Sequence, residues 1–181
     1  MNKFTLLQKL RNKIRVSSGT KLSIAKGVKF VNCDIRIKGK DCSLIIEKGA
    51  VIRSTQIEIL GDGSQMIIGR NCIIGHNSYL SAKEGKKLLI GADCMFSRNV
   101  KIMTSDGHPI LRDKIVINHA KDIFIGDHVW LADNVTILKG VTIEENSIVG
   151  INATVTKNVS SGVVVAGNPA KVIKEGINWS E

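Results

Sequence analysis

The sequence predicts an all-β protein built as a solenoid, in which the chain winds into stacked three-sided coils. Its 181 residues include 26 isoleucines and 16 valines against 12 leucines, and β-branched side chains favour strands over helices. Aliphatic residues also recur at intervals of six, which is neither the helical period of 3.6 nor the strand period of 2. A chain of this length forms one compact domain.

Residues 1–20 are predicted to cap the beginning of the solenoid. A helix is expected over residues 2–16 from an apolar stripe of four residues: Phe4, Leu7, Leu10 and Ile14. Residues 1–18 also carry five basic side chains, half of the formal net charge of +10. These charges are interpreted as the solvated edge of the cap. Peripheral contact with the inner face of a membrane, or with an acidic glycan, is the alternative.

The solenoid is expected over residues 21–165. In its first half, isoleucines recur at a constant interval of 22: Ile24, Ile46, Ile68 and Ile90. A second series follows, each member six positions on: Phe30, Ile52, Ile74 and Phe96. Each coil is therefore interpreted as a prism of eighteen positions with a loop of about four. Both series are expected to point inward, into one aliphatic column.

Beyond residue 125 the loops disappear, and the spacing becomes six: Ile125, Leu131, Ile137, Ile143, Val149 and Val155. A small or β-branched residue follows each of these by four: Val129, Val135, Val141, Ser147, Ala153 and Val159. Cys72 and Cys94, separated by the same interval as the isoleucines, are predicted to be buried packing thiols. Residues 166–181 are predicted to cap the far end, with Asn168 and Pro169 opening a short helix through Lys174.

One inserted loop, at about residues 103–122, interrupts this register. A coil expected to start at residue 112 starts at 125, so the chain carries thirteen extra positions. Long loops in compact folds are often functional. This loop contains His108, and histidine is a side chain suited to act as a general base near neutral pH. Trp130 follows the loop and is predicted to point outward, where a ligand or a neighbouring subunit would cover it.

Several classes of protein are disfavoured. No apolar run approaches the ~18 residues of a membrane span. The segment 1–18 does not have the pattern of a signal peptide, so a cytoplasmic location is expected. None of the four cysteines forms a CxxC pair, which argues against a zinc site or a disulfide framework. No nucleic-acid-binding motif is present, so the positive charge is expected to meet another polyanion.

Four motifs carry a family resemblance: DGHPI at 106–110, INHAKD at 117–122, VWLA at 129–132 and AGNPAK at 166–171. Over residues 68–179 the chain resembles the hexapeptide-repeat acyltransferases that use acetyl-CoA, in particular bacterial capsule and lipopolysaccharide sugar O-acetyltransferases. The resemblance implies a left-handed parallel β-helix and a homotrimer with sites between subunits. It also implies acetyl-CoA as co-substrate, no metal, and a carbohydrate acceptor on a surface polysaccharide, including one that contains sialic acid.

The resemblance also implies roles for individual residues. His108 is the base, and Trp130 flanks both cofactor and acceptor. Asn77 contacts the acceptor, although a turn asparagine is an equal interpretation. Asp106 belongs to the acceptor site, where it or a backbone carbonyl orients the imidazole. The cofactor contacts are Trp130, Asp133, Ile151, Thr156, Lys171 and Lys174. The two lysines suit nucleotide phosphates, with solvated charges as the alternative.

Two departures from the family pattern bear on cofactor fit: Ala132 replaces a common glycine, and Ser160 and Ser161 stand where prolines are frequent. No serine or cysteine lies in a nucleophile motif, so direct transfer is favoured over an acyl-enzyme. Three other functions stay open. They are N-acetylation of an amino sugar or its nucleotide-linked form, a zinc enzyme resembling carbonic anhydrase, and a non-catalytic solenoid.

Overall fold

The computed structural model describes residues 3–180 and consists almost entirely of a β-solenoid with three faces. The first face has seven parallel strands: β1 (Lys13–Val16), β4 (Asp34–Lys38), β7 (Gln56–Leu60), β10 (Tyr79–Lys83), β13 (Lys101–Met103), β18 (Thr136–Ile137) and β21 (Thr154–Val155). The second face has six: β2 (Lys21–Ile24), β5 (Ser43–Ile46), β8 (Gln65–Ile68), β11 (Lys87–Ile90), β16 (Ile123–Ile125) and β19 (Thr142–Ile143).

The third face has eight strands: β3 (Lys29–Val31), β6 (Val51–Arg53), β9 (Ile73–Ile74), β12 (Met95–Phe96), β17 (Trp130–Leu131), β20 (Ile148–Val149), β22 (Val163–Ala166) and β23 (Lys171–Glu175). Every neighbouring pair is parallel except β22 and β23. A separate antiparallel hairpin joins β14 (Leu111–Arg112) to β15 (Ile115–Val116). The fold is the left-handed parallel β-helix that the sequence predicted.

The core is one aliphatic column running through the solenoid. All members of the series at intervals of 22 and of six are buried. The strand pairing explains the interval of 22, because Leu44 on β5 pairs with Met66 at the equivalent position of β8, one coil later. Across the inserted loop Leu88 on β11 pairs with Ile123 on β16, so the interval grows to 35. Each coil thus stacks its side chains directly on those of the coil before.

Three stacked asparagines hold the corner between the third and the first face. Asn99, Asn134 and Asn152 all have positive φ, a conformation that asparagine tolerates better than most residues. Their side chains form a ladder, in which Asn99 donates to Asn134 at 2.9 Å and Asn134 donates to Asn152 at 2.9 Å. These three asparagines are therefore residues of one corner, stacked from coil to coil.

The amino-terminal cap is shorter than predicted. Helix α1 spans Leu6–Arg11, with Thr5 and Gln8 forming a capping box. The expected helix over 2–16 is wrong beyond Arg11, because residues 13–16 alternate basic and β-branched side chains and form β1, which pairs with β4. Residues 1 and 2 lie outside the described part of the chain. No helix among residues 3–180 is long and apolar enough to cross a membrane.

The carboxy-terminal cap is a strand, so the predicted helix from Asn168 to Lys174 is wrong. Residues 167–170 form a turn, and β23 then pairs antiparallel with β22. An unpaired β22 would leave its backbone groups exposed at the sheet edge, and the β-branched pair Val172 and Ile173 favours a strand there. The following residues return across the third face, where Trp179 donates from its indole nitrogen to the carbonyl of His128 at 2.8 Å.

All four cysteines are buried and free. Cys72 and Cys94 donate weak hydrogen bonds to the carbonyls of Gly91, at 3.0 Å, and Gly126, at 3.2 Å, in adjacent coils. They are packing thiols at equivalent inward positions, as predicted.

Candidate active site

The two ends of the inserted loop lie side by side and are hydrogen-bonded to each other where the loop joins the solenoid. Thr104, fully buried, follows the strand before the loop, and its carbonyl accepts a hydrogen bond from the backbone of Lys121 at 2.9 Å. The Thr104 hydroxyl also accepts from the backbone of Lys83 at 2.8 Å. The loop is therefore anchored at both ends to the corner between the first and second faces. We call this corner, residues 84–86, 104–122, 138–141 and 156–158, the loop corner.

Asn118 holds the loop in shape from within. Its side-chain amide donates to the carboxylate of Asp106 at 2.7 Å and to the carbonyl of His108 at 2.9 Å. Its carbonyl oxygen accepts from the backbone of Ile110 at 2.6 Å. One side chain thus binds the backbone on both sides of Pro109 and positions the segment that carries His108.

Lys139 fastens this arrangement to the solenoid. Its ammonium group donates to the carboxylate of Asp106 and, at 2.6 Å, to the backbone carbonyl of Asn118. The bond from Lys139, together with that from Asn118, lowers the pKa of the Asp106 carboxyl group against a smaller opposing effect of burial. Asp106 therefore stays ionised and acts as a brace. It makes no hydrogen bond to the imidazole of His108 in the described structure, so the expectation that it orients that ring is not met.

His108 lies exposed beside a cavity of about 290 Å³. The same cavity is lined by His119, Asn118 and Glu84. Glu84 accepts a hydrogen bond from the Ser105 hydroxyl, which in turn accepts from the backbone of Gly107 at 3.0 Å. The cavity is thus walled by the loop on one side and by a corner of the preceding coil on the other.

The tip of the loop is an apolar hairpin that nothing else in residues 3–180 covers. Asp113 and Lys114 both have positive φ and form the tight turn between β14 and β15. Four aliphatic side chains on or beside the hairpin are between 48% and 67% exposed: Ile110, Leu111, Ile115 and Ile117. This group of exposed aliphatic side chains makes the hairpin a candidate contact surface.

Trp130 lies on the outer side of the third face, at a second cavity of about 410 Å³. Its indole nitrogen donates to the hydroxyl of Ser97 at 3.3 Å. Trp179 partly covers it, with ring centroids 6.0 Å apart, and stacks on His128 at 4.2 Å. The cover expected over Trp130 is therefore supplied in part by the chain's own carboxy-terminal segment.

The second cavity lies at the corner between the third and first faces, residues 75–78, 97–100, 132–135 and 150–153, which we call the tryptophan corner. It is lined by Trp130, Asp133 and Ile151, three of the residues predicted to contact the cofactor. Asp133 is ion-paired with Arg98, whose guanidinium approaches it at 2.6 Å and whose backbone donates at 2.7 Å. These hydrogen bonds lower the pKa of the Asp133 carboxyl group.

The remaining predicted site residues are spread over the solenoid. Lys171 and Lys174 are exposed on β23, where Lys174 pairs with Val164 on the row that also contains Trp130. Thr156 is exposed at the loop corner. Asn77 is exposed with positive φ at the tryptophan corner and does not line the His108 cavity. Its geometry suits a turn residue, and its contact with an acceptor stays a prediction.

The two cavities lie at opposite ends of the first-face strands within one chain. Residues 75–78 precede β10 and line the tryptophan corner, whereas Glu84 follows β10 and belongs to the loop corner. A five-residue strand spans roughly 17 Å. A single chain therefore does not bring His108 and Trp130 into one cavity.

Three residues of the site had not been assigned a role from the sequence. Asn118 lies in the INHAKD motif, but the separation of this motif from DGHPI along the sequence does not predict that the two segments are hydrogen-bonded. Lys139 and Arg98 belong to other coils, 33 and 35 residues from their partners Asp106 and Asp133. The separation of 35 residues equals the interval between equivalent positions of the two coils that flank the inserted loop. This interval could therefore have predicted that Arg98 and Asp133 lie side by side.

The four histidines do not form one cluster, since only His108 and His119 share a cavity. His76 contacts the Ser54 hydroxyl at 3.2 Å, and His128 contacts Asn146 at 3.0 Å. Residues 3–180 contain no group of three or more histidine, cysteine or acidic side chains placed to hold a metal ion.

Comparison with known proteins adds to this geometry. Residues 122–157 match the family model described as bacterial transferase hexapeptide, six repeats. Over 78 residues the chain is 46% identical to the polysialic acid O-acetyltransferase of Escherichia coli O1:K1, a stretch that covers 42% of this chain and 25% of that relative. Over 71 residues it is 41% identical to the galactoside O-acetyltransferase of E. coli K12, covering 38% and 35% of the two chains. The match thus spans about a quarter to a third of these curated relatives.

Two solved structures resemble the chain over most of its length. One is the polysialic-acid-specific acetyltransferase NeuO, with 32% identity, a TM-score of 0.74, and coverage of 94% of this chain and 82% of the other. The second is the polysialic acid O-acetyltransferase OatWY, with 31% identity, a TM-score of 0.74, and coverage of 94% and 88%.

Proposed function

The chain belongs to the hexapeptide-repeat transferase family, and from this premise we propose that it is an acetyl-CoA-dependent O-acetyltransferase that modifies a sugar hydroxyl of a bacterial polysaccharide. The observation that carries the proposal is the braced loop, in which Asn118 and Lys139 hold an exposed imidazole at the edge of a cavity. A non-catalytic solenoid has no need of such a brace. The names of the similar proteins support acetyl transfer to oxygen rather than to nitrogen.

His108 performs the proton transfer in this proposal. Its imidazole accepts the proton of the acceptor hydroxyl as that oxygen attacks the thioester carbonyl. The C–S bond then breaks, and the imidazolium returns the proton to the departing thiolate, so the histidine ends the cycle neutral. The proton stays within the site, and no covalent enzyme intermediate forms. The family resemblance of the DGHPI motif supports this role, and His119 in the same cavity is the competing candidate.

The cofactor cavity is proposed at the tryptophan corner. Acetyl-CoA carries a pantetheine arm of aliphatic and amide groups and several phosphates, and this corner provides an indole surface for the arm. Lys171 and Lys174 add two exposed ammonium groups on β23. The indole suits the pantetheine arm and the two lysines suit the phosphates, whereas Arg98 and Asp133 neutralise each other in an ion pair.

We further propose that the active form is a homotrimer. Three parallel solenoids packed about a threefold axis place the loop corner of one subunit beside the tryptophan corner of the next. Two features support this arrangement: the cavities are separated within one chain, and the hairpin at the loop tip presents exposed aliphatic side chains. Sedimentation equilibrium of the purified protein tests it, because one chain has a mass of 19.7 kDa and a trimer about three times that. A monomer that is fully active would contradict the shared site.

Incubation with acetyl-CoA and a panel of oligosaccharides tests the function. Release of free thiol should depend on the oligosaccharide, and the product should gain one acetyl ester that mild alkali removes. The panel includes neutral glucans, amino sugars and α-linked sialic acid oligomers. An alkali-stable amide on an amino sugar would favour N-acetylation, and the absence of thiol release with every acceptor would contradict acetyl transfer.

Loss of Trp130 should impair cofactor use. Trp130→Ala removes the indole wall of the tryptophan-corner cavity. We expect the KM for acetyl-CoA to rise about tenfold, since losing about 55 Å² of buried apolar contact at roughly 25 cal/mol per Å² corresponds to that factor. Trp179→Ala, which uncovers Trp130, should produce a smaller rise, and Trp179→Phe should restore most of the affinity. Initial-rate kinetics measure both. An unchanged KM in Trp130→Ala would remove this residue from the cofactor site.

A further inference from the structure

The positive charge of the protein is concentrated at one end of the solenoid. Residues 1–40 contain eleven lysines and arginines but only one acidic residue, Asp34. Residues 41–181 contain fifteen basic and fifteen acidic side chains. The whole excess of +10 therefore belongs to the first coil and its cap.

The fold spreads these charges around the end of the column. Strands β1, β2 and β3 are the terminal strands of the three faces, so Lys13, Lys21 and Lys29 lie on three different sides. Few of the charges are neutralised. Among the ion pairs of the described residues, only Lys13 and Arg15, with Asp34, and Arg36, with Glu58, involve this part of the chain. The others are available to an external polyanion.

Helix α1 adds an apolar surface at the same end. Phe4 is buried and packs on Phe30 with ring centroids 5.4 Å apart, which pins the helix to the first coil. Three leucines point away from the protein, with Leu6 and Leu10 each 75% exposed and Leu7 56% exposed. They lie at spacings of three and four, so they share one side of the helix.

Cavities flank α1 on both sides. One of about 450 Å³ is lined by Lys3, Gln8 and Lys26 together with Ile24 and Ala25. The other, of about 430 Å³, lies between the helix and β3 and is lined by Leu7, Arg11, Lys29 and Phe30, among others. Each thus combines an apolar wall with basic side chains. We call α1, the terminal strands β1–β3 and these two cavities the basic end.

We propose that the basic end docks on an anionic lipid surface. The leucines would enter the boundary between headgroups and acyl chains, while the surrounding lysines and arginines contact the lipid phosphates. A soluble acidic glycan would satisfy the basic side chains but offers nothing apolar to three exposed leucines. A second copy of the chain is disfavoured, because two such ends would bring together like charges with few acidic groups to offset them.

This docking does not depend on the acetyltransferase proposal, and it can fail or hold independently of it. It would hold the solenoid against the membrane at one end and leave the loop corner and the tryptophan corner, which lie further along the column, open to soluble substrates.

Vesicle cosedimentation with the full chain tests the inference. The probes are vesicles of phosphatidylcholine alone and vesicles in which phosphatidylglycerol replaces a third of that lipid, both at low salt. Binding is expected only to the anionic vesicles and should weaken strongly at 1 M salt, where the screening length is about 3 Å. Lys9→Gln/Arg11→Gln/Lys29→Gln should weaken the partition about a hundredfold, since each basic residue near such a surface contributes about a factor of five. These three residues make no ion pair in the described structure, so the variant should fold normally.

The leucines separate a lipid surface from other polyanions. Leu6→Ser/Leu10→Ser should weaken vesicle binding at least tenfold while leaving the binding of a soluble polyanion, such as heparin, unchanged. Lys87→Gln/Lys101→Gln, whose two lysines are exposed several coils further along the column, and Ile173→Ser are controls away from the basic end, and both should bind vesicles like the wild type. Equal binding to anionic and neutral vesicles, no binding to either, or binding unaffected by the leucine changes would overturn the proposal. A lower oligomer mass in the leucine variant would instead identify a second copy as the occupant.

Discussion

His108→Ala is expected to lower the kcat for acetyl transfer by about 10²- to 10⁴-fold, the usual contribution of a general base. The KM for acetyl-CoA should change little, because the proposed cofactor residues line the separate cavity around Trp130. Since His108 is exposed and only its backbone carbonyl is bonded within the loop, the fold should persist. Steady-state kinetics and thermal unfolding measure the two effects separately.

His119→Ala is the matched control for this result. His119 lines the same cavity and is also exposed, but it lies on the returning side of the loop. Its loss should change kcat by only a few-fold. If His119→Ala abolished turnover while His108→Ala retained it, the base would be His119, and if both variants stayed active, the cavity would not be the site of proton transfer.

Asn118→Ala should be the most damaging change outside the reacting groups. It removes three hydrogen bonds, to Asp106, to the carbonyl of His108 and from the backbone of Ile110. The imidazole then loses its fixed position, and a displacement of about 1 Å can cost a hundredfold in rate. We therefore expect kcat to fall about 10- to 100-fold with the KM for acetyl-CoA within twofold of wild type.

Asn118 is proposed as a positioning residue, and a second readout distinguishes this role from a loss of fold. Trypsin should cut the loop faster at Arg112 or Lys114 in Asn118→Ala, while the midpoint of thermal unfolding stays within a few degrees of wild type. Asn71→Gly is a suitable control, because Asn71 has positive φ, which glycine accepts, and loses only one side-chain bond to Asp93. Full activity in Asn118→Ala, or the same loss in Asn71→Gly, would show that the brace is not required.

Most of the fold could be predicted from the intervals at which aliphatic residues recur in the sequence. A column of stacked coils requires an inward aliphatic residue at each equivalent position, so spacings of 22 and six predicted the core, and both series proved buried. The ends were less predictable. A solenoid end has no next coil, so the repeat says nothing about residues 2–16 or 168–174, and tertiary pairing of β1 with β4 and β23 with β22 overrode the helical interpretation.

The candidate site shows the same division. The interruption of the repeat located the loop and His108, and the resemblance assigned Trp130 and the cofactor residues. The sequence did not predict which of these side chains lie close together. Side chains of different coils meet at sequence separations that depend on the length of the inserted loop and on the corner that each residue occupies. The contacts of Asp106 with Lys139 and of Asp133 with Arg98 are of this kind.

The sequence alone determined the coil period, the buried column and the place of the loop, because these follow from side chains that recur along the chain at fixed intervals. Only the tertiary structure decided what braces His108, what covers Trp130 and where the unpaired charges collect. Those features depend on which corners and ends of the solenoid the fold brings close together. The distance in space between two such residues cannot be read from their separation along the sequence.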